Sequence, residues 1–457
     1  MSSQENISEF ATNLRGRLVT PSDSDYDAER AVYNGMIDRH PALIAKCADV
    51  GDVQTCVRFG HENDVRVSIR SGGHNAAGLG VCDDGLVIDL SEWKSVRVDP
   101  SDNTIRAEPG CTLGDLDHAT HPYGLAVPTG MLSTTGVGGL ALGGGVGHLS
   151  RKYGLTVDNI IEADVVLADG SIATANKDQH KDLFWAIRGG GGNFGVITSF
   201  KFQGHPVSTI VGGPVFWEIE KSAEVLKWYR EFILNAPEDL NGFFAFLQVP
   251  PVDPFPDFAK GQHVCGIVFC YTGPAEKADE VYQPVKEFGP PLMFGVQPMP
   301  FPALQSAFDV FYPKGDQWYW RADFFDEISD EAIEAHVKYG KVPTGQSTMH
   351  LYPIDGAASR VDSDATAFAY RDANWAGVIV GVDGDPANKD LITDWTKDYY
   401  DALHPYSSGG AYVNFMMDEG QDRVKASFRD NYDRLARVKA KYDPDNFFNV
   451  NQNIVPA

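Results

Sequence analysis

Between Thr129 and Gly147 the chain reads TGMLSTTGVGGLALGGGVG, with glycines at 130, 136, 138, 139, 143, 144, 145 and 147. Glycine loses more conformational freedom on folding than any other residue, so such a density needs a reason. It exceeds what tight turns alone require and points to a backbone that must approach something closely. A second loop, Arg70-Ser71-Gly72-Gly73-His74-Asn75, follows the strand-like VRVSI of residues 65–69. Both loops combine small residues, hydroxyls and free backbone amides, and successive exposed amides form an anion-binding concavity. Two such loops from separate parts of one folding unit could grip a pyrophosphate from both sides. The histidine directly after Gly72-Gly73 reads, by itself, as an ordinary capping or turn residue.

A third cluster, GGGNFG at 190–195, fits G-x-G-x-x-G. In a nicotinamide-binding Rossmann unit that motif follows a strand and opens a helix. Here the helix-like FWAIR precedes it and the strand-like VITSF follows, so the context is reversed. No G-x-x-x-x-G-K-[ST] occurs, which removes P-loop chemistry.

The chain has 457 residues, enough for two or three folding units at roughly 150 residues each. Residues 21–205 alternate short β-type runs (VRVSI, GLVIDL, TIRAEP, EADVVLA, GVITSFKF) with helical patterns such as GDLDHATHPYG and HKDLFWAIR. ALIAKCADVGDVQTCVRFG (42–60) reads as strand then helix, with the cap near Asp52. From about 206 to 405 the style changes to long extended segments (IVGGPVFWEI, GFFAFLQV, HVCGIVFCYTG, TAFAYR, WAGVIVGV), interleaved with acidic helical stretches. This predicts an antiparallel sheet backed by helices. DRVKASFRDNYDRLARVKAKYDPDNFF then reads as one amphipathic helix stopping at Asp443-Pro444. The fold class expected is α+β.

Charge and composition exclude several classes. A net charge of −25 argues against a nucleic-acid backbone as partner. No run of about 18 apolar residues is present to span a membrane. The polar start MSSQENISEF lacks the features of a secretory signal, so a cytoplasmic location is expected. The cysteines at 47, 56, 82, 111, 265 and 270 form no C-x-x-C pair and are expected as buried free thiols. His118-x-x-His121 lacks a third ligand and Asp383-Gly-Asp385 lacks the rest of a calcium loop, so no metal site is expected.

Four blocks in order now carry a resemblance: RSGGHN; residues 129–160; DLFWAIRGGGGNFGVIT at 182–198; and YVNF…NYDRLARVKAKYDPDNFFNVNQNI at 412–454. The chain resembles the berberine bridge enzyme-like FAD-linked oxidases of the vanillyl-alcohol oxidase superfamily. Its second block is especially similar to that of bacterial 6-hydroxy-D-nicotine oxidase-like proteins. The resemblance implies an FAD-binding domain in two parts, residues 1–205 and a C-terminal tail at 406–457. A substrate-binding domain at 206–405, an antiparallel sheet backed by helices, is inserted between them.

By the same resemblance, His74 bonds covalently to the 8α carbon of the flavin. The chemistry suits an imidazole, which is nucleophilic when neutral and can be oriented through its other nitrogen. Many members add a cysteinyl link, but Leu132 stands at that position, so a single link is expected. Further FAD contacts are implied for Arg70, Ser71, Gly72, Gly73, Asn75 and Gly78. In the long loop they are Thr129, Gly130, Thr134, Gly138, Gly139 and Gly144, with Val196 beyond it. Asp158 and Asn159 are expected on the adenosine side, and Tyr412, Asn414 and Asn451 near the isoalloxazine. Thr135, just before Gly136, occupies the position where a small side chain lets oxygen reach the flavin.

Some members use a Glu base in a strand of the substrate domain. The segment aligned with it, 356–371, has none, and Arg360 falls near the position. Tyr412 is therefore the preferred proton acceptor or positioner. A phenol with a pKa near 10 would need a cationic neighbour or the flavin to lower it, and Arg360 or Arg371 are the candidates. His350, in MHLYP, is a lesser candidate. The expected activity is oxidation of a small alcohol, sugar or amine with O2 as acceptor and H2O2 as product. The alternatives are a dehydrogenase with another acceptor, or a non-oxidative flavoprotein such as an isomerase or carrier.

Overall fold

In the computed structural model, which describes residues 4–253 and 255–457, a small sheet sets the position of the first glycine loop. Its strands run Arg17–Val19, Leu43–Lys46, Leu86–Asp89 and Val67–Arg70 in spatial order, the last three parallel. Leu86–Asp89 is buried along its whole length, as expected for a parallel strand covered on both faces. Strand Val67–Arg70 ends at Arg70, so the RSGGHN loop leaves from the carboxyl end of a parallel strand, where open sheets of this kind receive ligands. Arg70 and Asp89 are register partners across that pair and form a buried ion pair at 2.7 Å. Helix Val50–Glu62 covers the sheet through Val53, Cys56 and Val57. Its cap is Asp49, which accepts from the amides of Gly51 and Asp52, and not Asp52 itself. Asp52 instead binds the amides of Arg15, Gly16 and Ala48, tying the N-terminal strand to the helix.

A five-stranded antiparallel sheet follows, ordered Val96–Asp99, Thr104–Ala107, Val196–Gln203, Ile160–Val166 and Ile172–Asn176. The third sheet has eight antiparallel strands. Its path runs Met293–Phe294, Thr209–Glu218, His263–Tyr271, Leu240–Gln248, Thr348–Pro353, Trp375–Asp383 and Gln317–Phe325, with Gln297–Pro300 also paired to Thr209–Glu218. Side chains alternate across a strand, so each strand feeds two faces. Trp217, Phe244, Phe246, Leu351 and Ile379 pack one face against helices Ser222–Asn235, Asp330–Tyr339 and Lys389–Leu403. The opposite face turns toward the glycine loops.

Three expectations are corrected. TAFAYR at 366–371 is loop, not strand, because Arg371 is used there as a brace. Its guanidinium grips Asp158 and Thr366 and the carbonyl of Ala358. The amphipathic helix near the end is two helices, Gln421–Phe428 and Tyr432–Tyr442. Between them Arg429 adopts φ 46°, ψ −135°, pairing with Asp372 and covering the Tyr370 ring at 3.6 Å. The cap at Asp52 is the third. The six cysteines are buried free thiols, and no helix among the described residues is long and apolar enough to cross a membrane.

The last helix closes the third glycine cluster. Lys439 is fully buried, and its Nζ donates to Asp443 (2.6 Å), to the carbonyl of Asn193 (2.6 Å) and to that of Phe448 (2.8 Å). Desolvation lowers its pKa, with Asp443 opposing. Replacing Lys439 by Leu strands a buried carboxylate and two carbonyls. The expected loss is about 3–5 kcal/mol, read from denaturant unfolding, and a change within experimental error would remove this ion pair from the account of stability.

Candidate functional site

A long cavity of about 380 Å³ runs between the glycine loops and the open face of the eight-stranded sheet. Its first half is backbone. A Cβ on Gly72 would sit 2.6 Å from the amide nitrogen of Gly136, and one on Gly136 would sit 2.4 Å from that of Gly72. The two loops therefore touch main chain to main chain. The 129–136 loop is pinned from behind, where the Leu113 amide donates to the Thr135 carbonyl (2.9 Å) and the Val137 amide to that of Cys111 (2.8 Å). Ser71 Oγ donates to the Pro109 carbonyl at 2.5 Å.

Of the residues expected to contact the cofactor, Arg70, Ser71, Gly72, Gly73, His74 and Asn75 line this cavity. So do Gly130, Gly138, Gly139, Asn451, Leu132, Thr135, Tyr412 and Asn414. The others support it from outside its wall. Gly78, at φ +70°, closes the turn after Asn75. Thr129 is buried with its carbonyl against Gly147. Thr134 lies behind His74 and Tyr33. Val196 is core. Asp158 is held by Arg371 at 2.6 Å, and Asn159 donates to the carbonyls of Tyr153 and Leu155.

His74 projects into the cavity with its ring stacked on Tyr33, 3.8 Å between centroids. Burial lowers its pKa to about 4, while a hydrogen bond to the Thr134 backbone opposes the shift. The imidazole is therefore neutral at physiological pH, with one nitrogen occupied by the backbone and a nucleophilic nitrogen available. Tyr33 itself carried no signal in the sequence beyond being aromatic. Its hydroxyl donates to the Tyr312 carbonyl.

The GGG run at 143–145 is explained by the returning C-terminal segment. A Cβ on Gly143 would collide with Asn414, one on Gly144 with the Tyr412 ring at 2.8 Å, and one on Gly145 with Thr156. Tyr412 Oη accepts from the Gly145 amide and from Asn414 Nδ2, both at 2.6 Å. Burial pushes the phenol up to about 12; hydrogen bonds from Gly145, Asn414 and Val146 oppose this. The expected cationic neighbours are elsewhere. Arg360 is exposed and paired with Glu238, and Arg371 is spent on Asp158. Tyr412 is thus a protonated phenol whose oxygen is held by amide dipoles.

The cavity-facing strand in this part of the chain is Thr348–Pro353, while 356–371 is loop. His350 therefore lies on the wall, together with Thr348 and Tyr352. The GGGN cluster also lines the cavity through Gly190, Gly191, Gly192 and Asn193, although its Rossmann reading fails. The helix Lys181–Ala186 precedes it and the strand Val196–Gln203 follows.

The residues fit an FAD. Arg70 is 6 % exposed, gives Nη2 to Asp89 and leaves Nη1 without a partner. The buried Oδ1 of Asn451 also lacks one. Orphaned polar atoms of this kind, beside two loops that a Cβ would fill, suit a polar dinucleotide. Gly144→Ala tests the packing. At φ +143° a side chain is strained and would meet Tyr412. The expected result is a loss of about 1–3 kcal/mol with reduced flavin content per chain, read by thermal unfolding and absorbance.

Comparison with known proteins agrees with this geometry. The family model for the FAD binding domain matches residues 41–176, and that described as berberine and berberine like matches residues 411–455. An FAD-linked oxidoreductase of Dictyostelium discoideum is 32 % identical over 98 % of this chain and 97 % of its own. (R)-6-hydroxynicotine oxidase of Paenarthrobacter nicotinovorans is 41 % identical over 42 % of each chain. The crystal structure of 6-hydroxy-D-nicotine oxidase from Arthrobacter nicotinovorans superposes with a TM-score of 0.86 at 26 % identity, covering 97 % of this chain and 98 % of that one. A main-chain cradle built from two glycine loops, a C-terminal segment returning to complete it, and relatives matched over nearly the full length together place this chain in the berberine bridge enzyme-like family of FAD-linked oxidoreductases.

Proposed function

We propose that this protein is an oxidase of small alcohols, sugars or amines, with O2 as acceptor, H2O2 as product and FAD held by one covalent bond at His74. The observation that carries the reading is the state of His74. It is a neutral imidazole, oriented by stacking on Tyr33 and by the Thr134 backbone, facing the cavity. Leu132 lines the same wall and cannot form a thioether, and no cysteine lines the cavity among the described residues. When bound, FAD supplies the hydride acceptor.

The chain's own residues supply position and proton management. Tyr412, protonated and fixed by Gly145 and Asn414, can hold a substrate heteroatom by hydrogen bonding. Thr135 lines the cavity beside Gly136 with a small side chain, which leaves room for O2. A dehydrogenase with another acceptor is the competing reading, and Thr135 is the residue that favours the oxidase.

Two measurements check this. Wild-type protein should keep its yellow colour through acid precipitation and His74→Ala should lose it; acid-stable flavin in the variant would place the link elsewhere. Thr135→Leu should slow reoxidation by O2 roughly tenfold, about 1.4 kcal/mol in barrier, with reduction by substrate little changed. Equal slowing of both half-reactions would remove Thr135 as the oxygen gate.

A further inference from the structure

Outside the cavity wall, behind the 129–136 loop, three buried acceptor atoms on two packed helices lack a partner. Neither Oδ1 nor Oδ2 of Asp117, 3 % exposed, is hydrogen-bonded, and Gln305, fully buried, leaves Oε1 bare. Helix Leu113–Thr120 buries Leu113, Leu116, Asp117 and Thr120. The short helix Phe301–Gln305 packs against it, with Phe301, Leu304 and Gln305 buried.

The Gln305 amide has a forced direction. Its Nε2 donates to the Gly130 carbonyl at 2.6 Å. Turning the amide over would set Oε1 against that carbonyl, acceptor to acceptor, so Oε1 stays on the side away from Gly130. No cation answers Asp117. On its own helix, Asp115 is held by Thr112 and Lys94, and His118 is exposed. In the turn that follows, His121 Nδ1 is buried without a partner and Tyr123 is exposed. Strand Val96–Asp99, packed on this helix, exposes Arg97 and Asp99. Phe301–Gln305 and Leu125–Ala126 carry no titratable side chain, and Asp309 is bonded to Ser133. A lone buried carboxylate is costly enough that the group keeps its proton instead. Burial alone raises the Asp117 pKa to about 8. The neutral carboxyl has one O–H donor, and the bare acceptor on the neighbouring helix is Gln305 Oε1.

Both helices hold the same loop. The amides of Leu113 and Gly114 donate to the carbonyls of Thr135 and Ser133, at 2.9 and 2.8 Å. From the other side Gln305 takes the Gly130 carbonyl, and Asp309 accepts from the Ser133 amide and hydroxyl. Gly130 and Thr135 line the cavity. The joint between the helices therefore sets where this wall lies.

We propose that Asp117 carries its proton and hydrogen-bonds through it to Gln305 Oε1, a buried latch that positions the 130–135 loop and opens when the proton leaves. The folded chain holds this proton over a pH range in which the unfolded chain has released it. The stability the latch adds is complete below the ordinary aspartate range and is lost as pH rises to about 8. Above that, carboxylate and amide oxygens oppose each other and the joint loosens.

The test is amide hydrogen exchange over residues 129–136 of the flavin-loaded protein, at about pH 6 and about pH 9.5, on either side of the Asp117 midpoint. Asp117→Asn keeps a donor that cannot ionise; Asp117→Leu has none. At the lower pH, wild type and Asp117→Asn should be equally protected, with Asp117→Leu exchanging roughly tenfold faster. At the higher pH, wild type should exchange as fast as Asp117→Leu while Asp117→Asn stays protected. In a Gln305→Leu background the protection by Asn should vanish. Infrared spectra at the lower pH should show a protonated-carboxyl band in wild type that Asp117→Asn lacks. Absence of that band overturns the protonation, and protection by Asn without Gln305 overturns the partner. Asp117→Leu as protected as wild type at the lower pH overturns the positioning role. Wild type as protected as Asp117→Asn at the higher pH overturns the switch, and this comparison decides alone if Asp117→Leu does not fold. Neither readout uses O2 or substrate, so the latch can fail with the oxidase reading intact.

Discussion

The contact on which the structure depends is the approach of Gly72 to Gly136. Neither position admits a Cβ, because each backbone occupies the space where the other's side chain would begin. This closure joins a loop at the end of a parallel strand to a loop that opens the helix Val137–Gly143. Amides and small hydroxyls of both loops then lie along one cavity wall. His74 and Thr135 come to the same wall only because these two backbones meet.

The rest of the chain completes that wall from two directions. The C-terminal segment presses Tyr412 and Asn414 onto Gly143 and Gly144, and Lys439 and Asn451 fasten the loop at 190–193. Three glycine clusters far apart in sequence thus belong to one site. The eight-stranded sheet supplies the opposite side, with aromatic side chains and the hydrogen-bonded Thr348, His350 and Tyr352 among its lining. One half of the cavity is main chain suited to a polar cofactor; the other is built of side chains.

Local pattern carried much of this. The strands at Leu86–Asp89, Val196–Gln203, Thr209–Glu218 and His263–Tyr271 each coincide with an extended run of β-type residues. The reversed context of GGGNFG was legible as helix before and strand after. Misreadings arose where tertiary contacts overrode local preference. TAFAYR has strand-like composition, but the buried Arg371–Asp158 pair holds it as loop. The helical pattern near the end continues through Arg429, yet the guanidinium's contacts with Tyr370 and Asp372 accompany a break there. Asp158 and Asn159, implied for the cofactor by resemblance, take part in a brace and a turn.

By itself the sequence determined the glycine cradles, the α+β class, the histidine at the loop tip and the absence of a thiol at Leu132. These follow from residue identity, because a missing Cβ or a missing thiol acts the same way wherever the chain goes. Only the tertiary structure decided which way side chains point and what they meet. Tyr33 became the platform for His74, and Arg360 went to Glu238 rather than Tyr412. Those outcomes depend on distances between residues remote in sequence, which the order of residues does not contain.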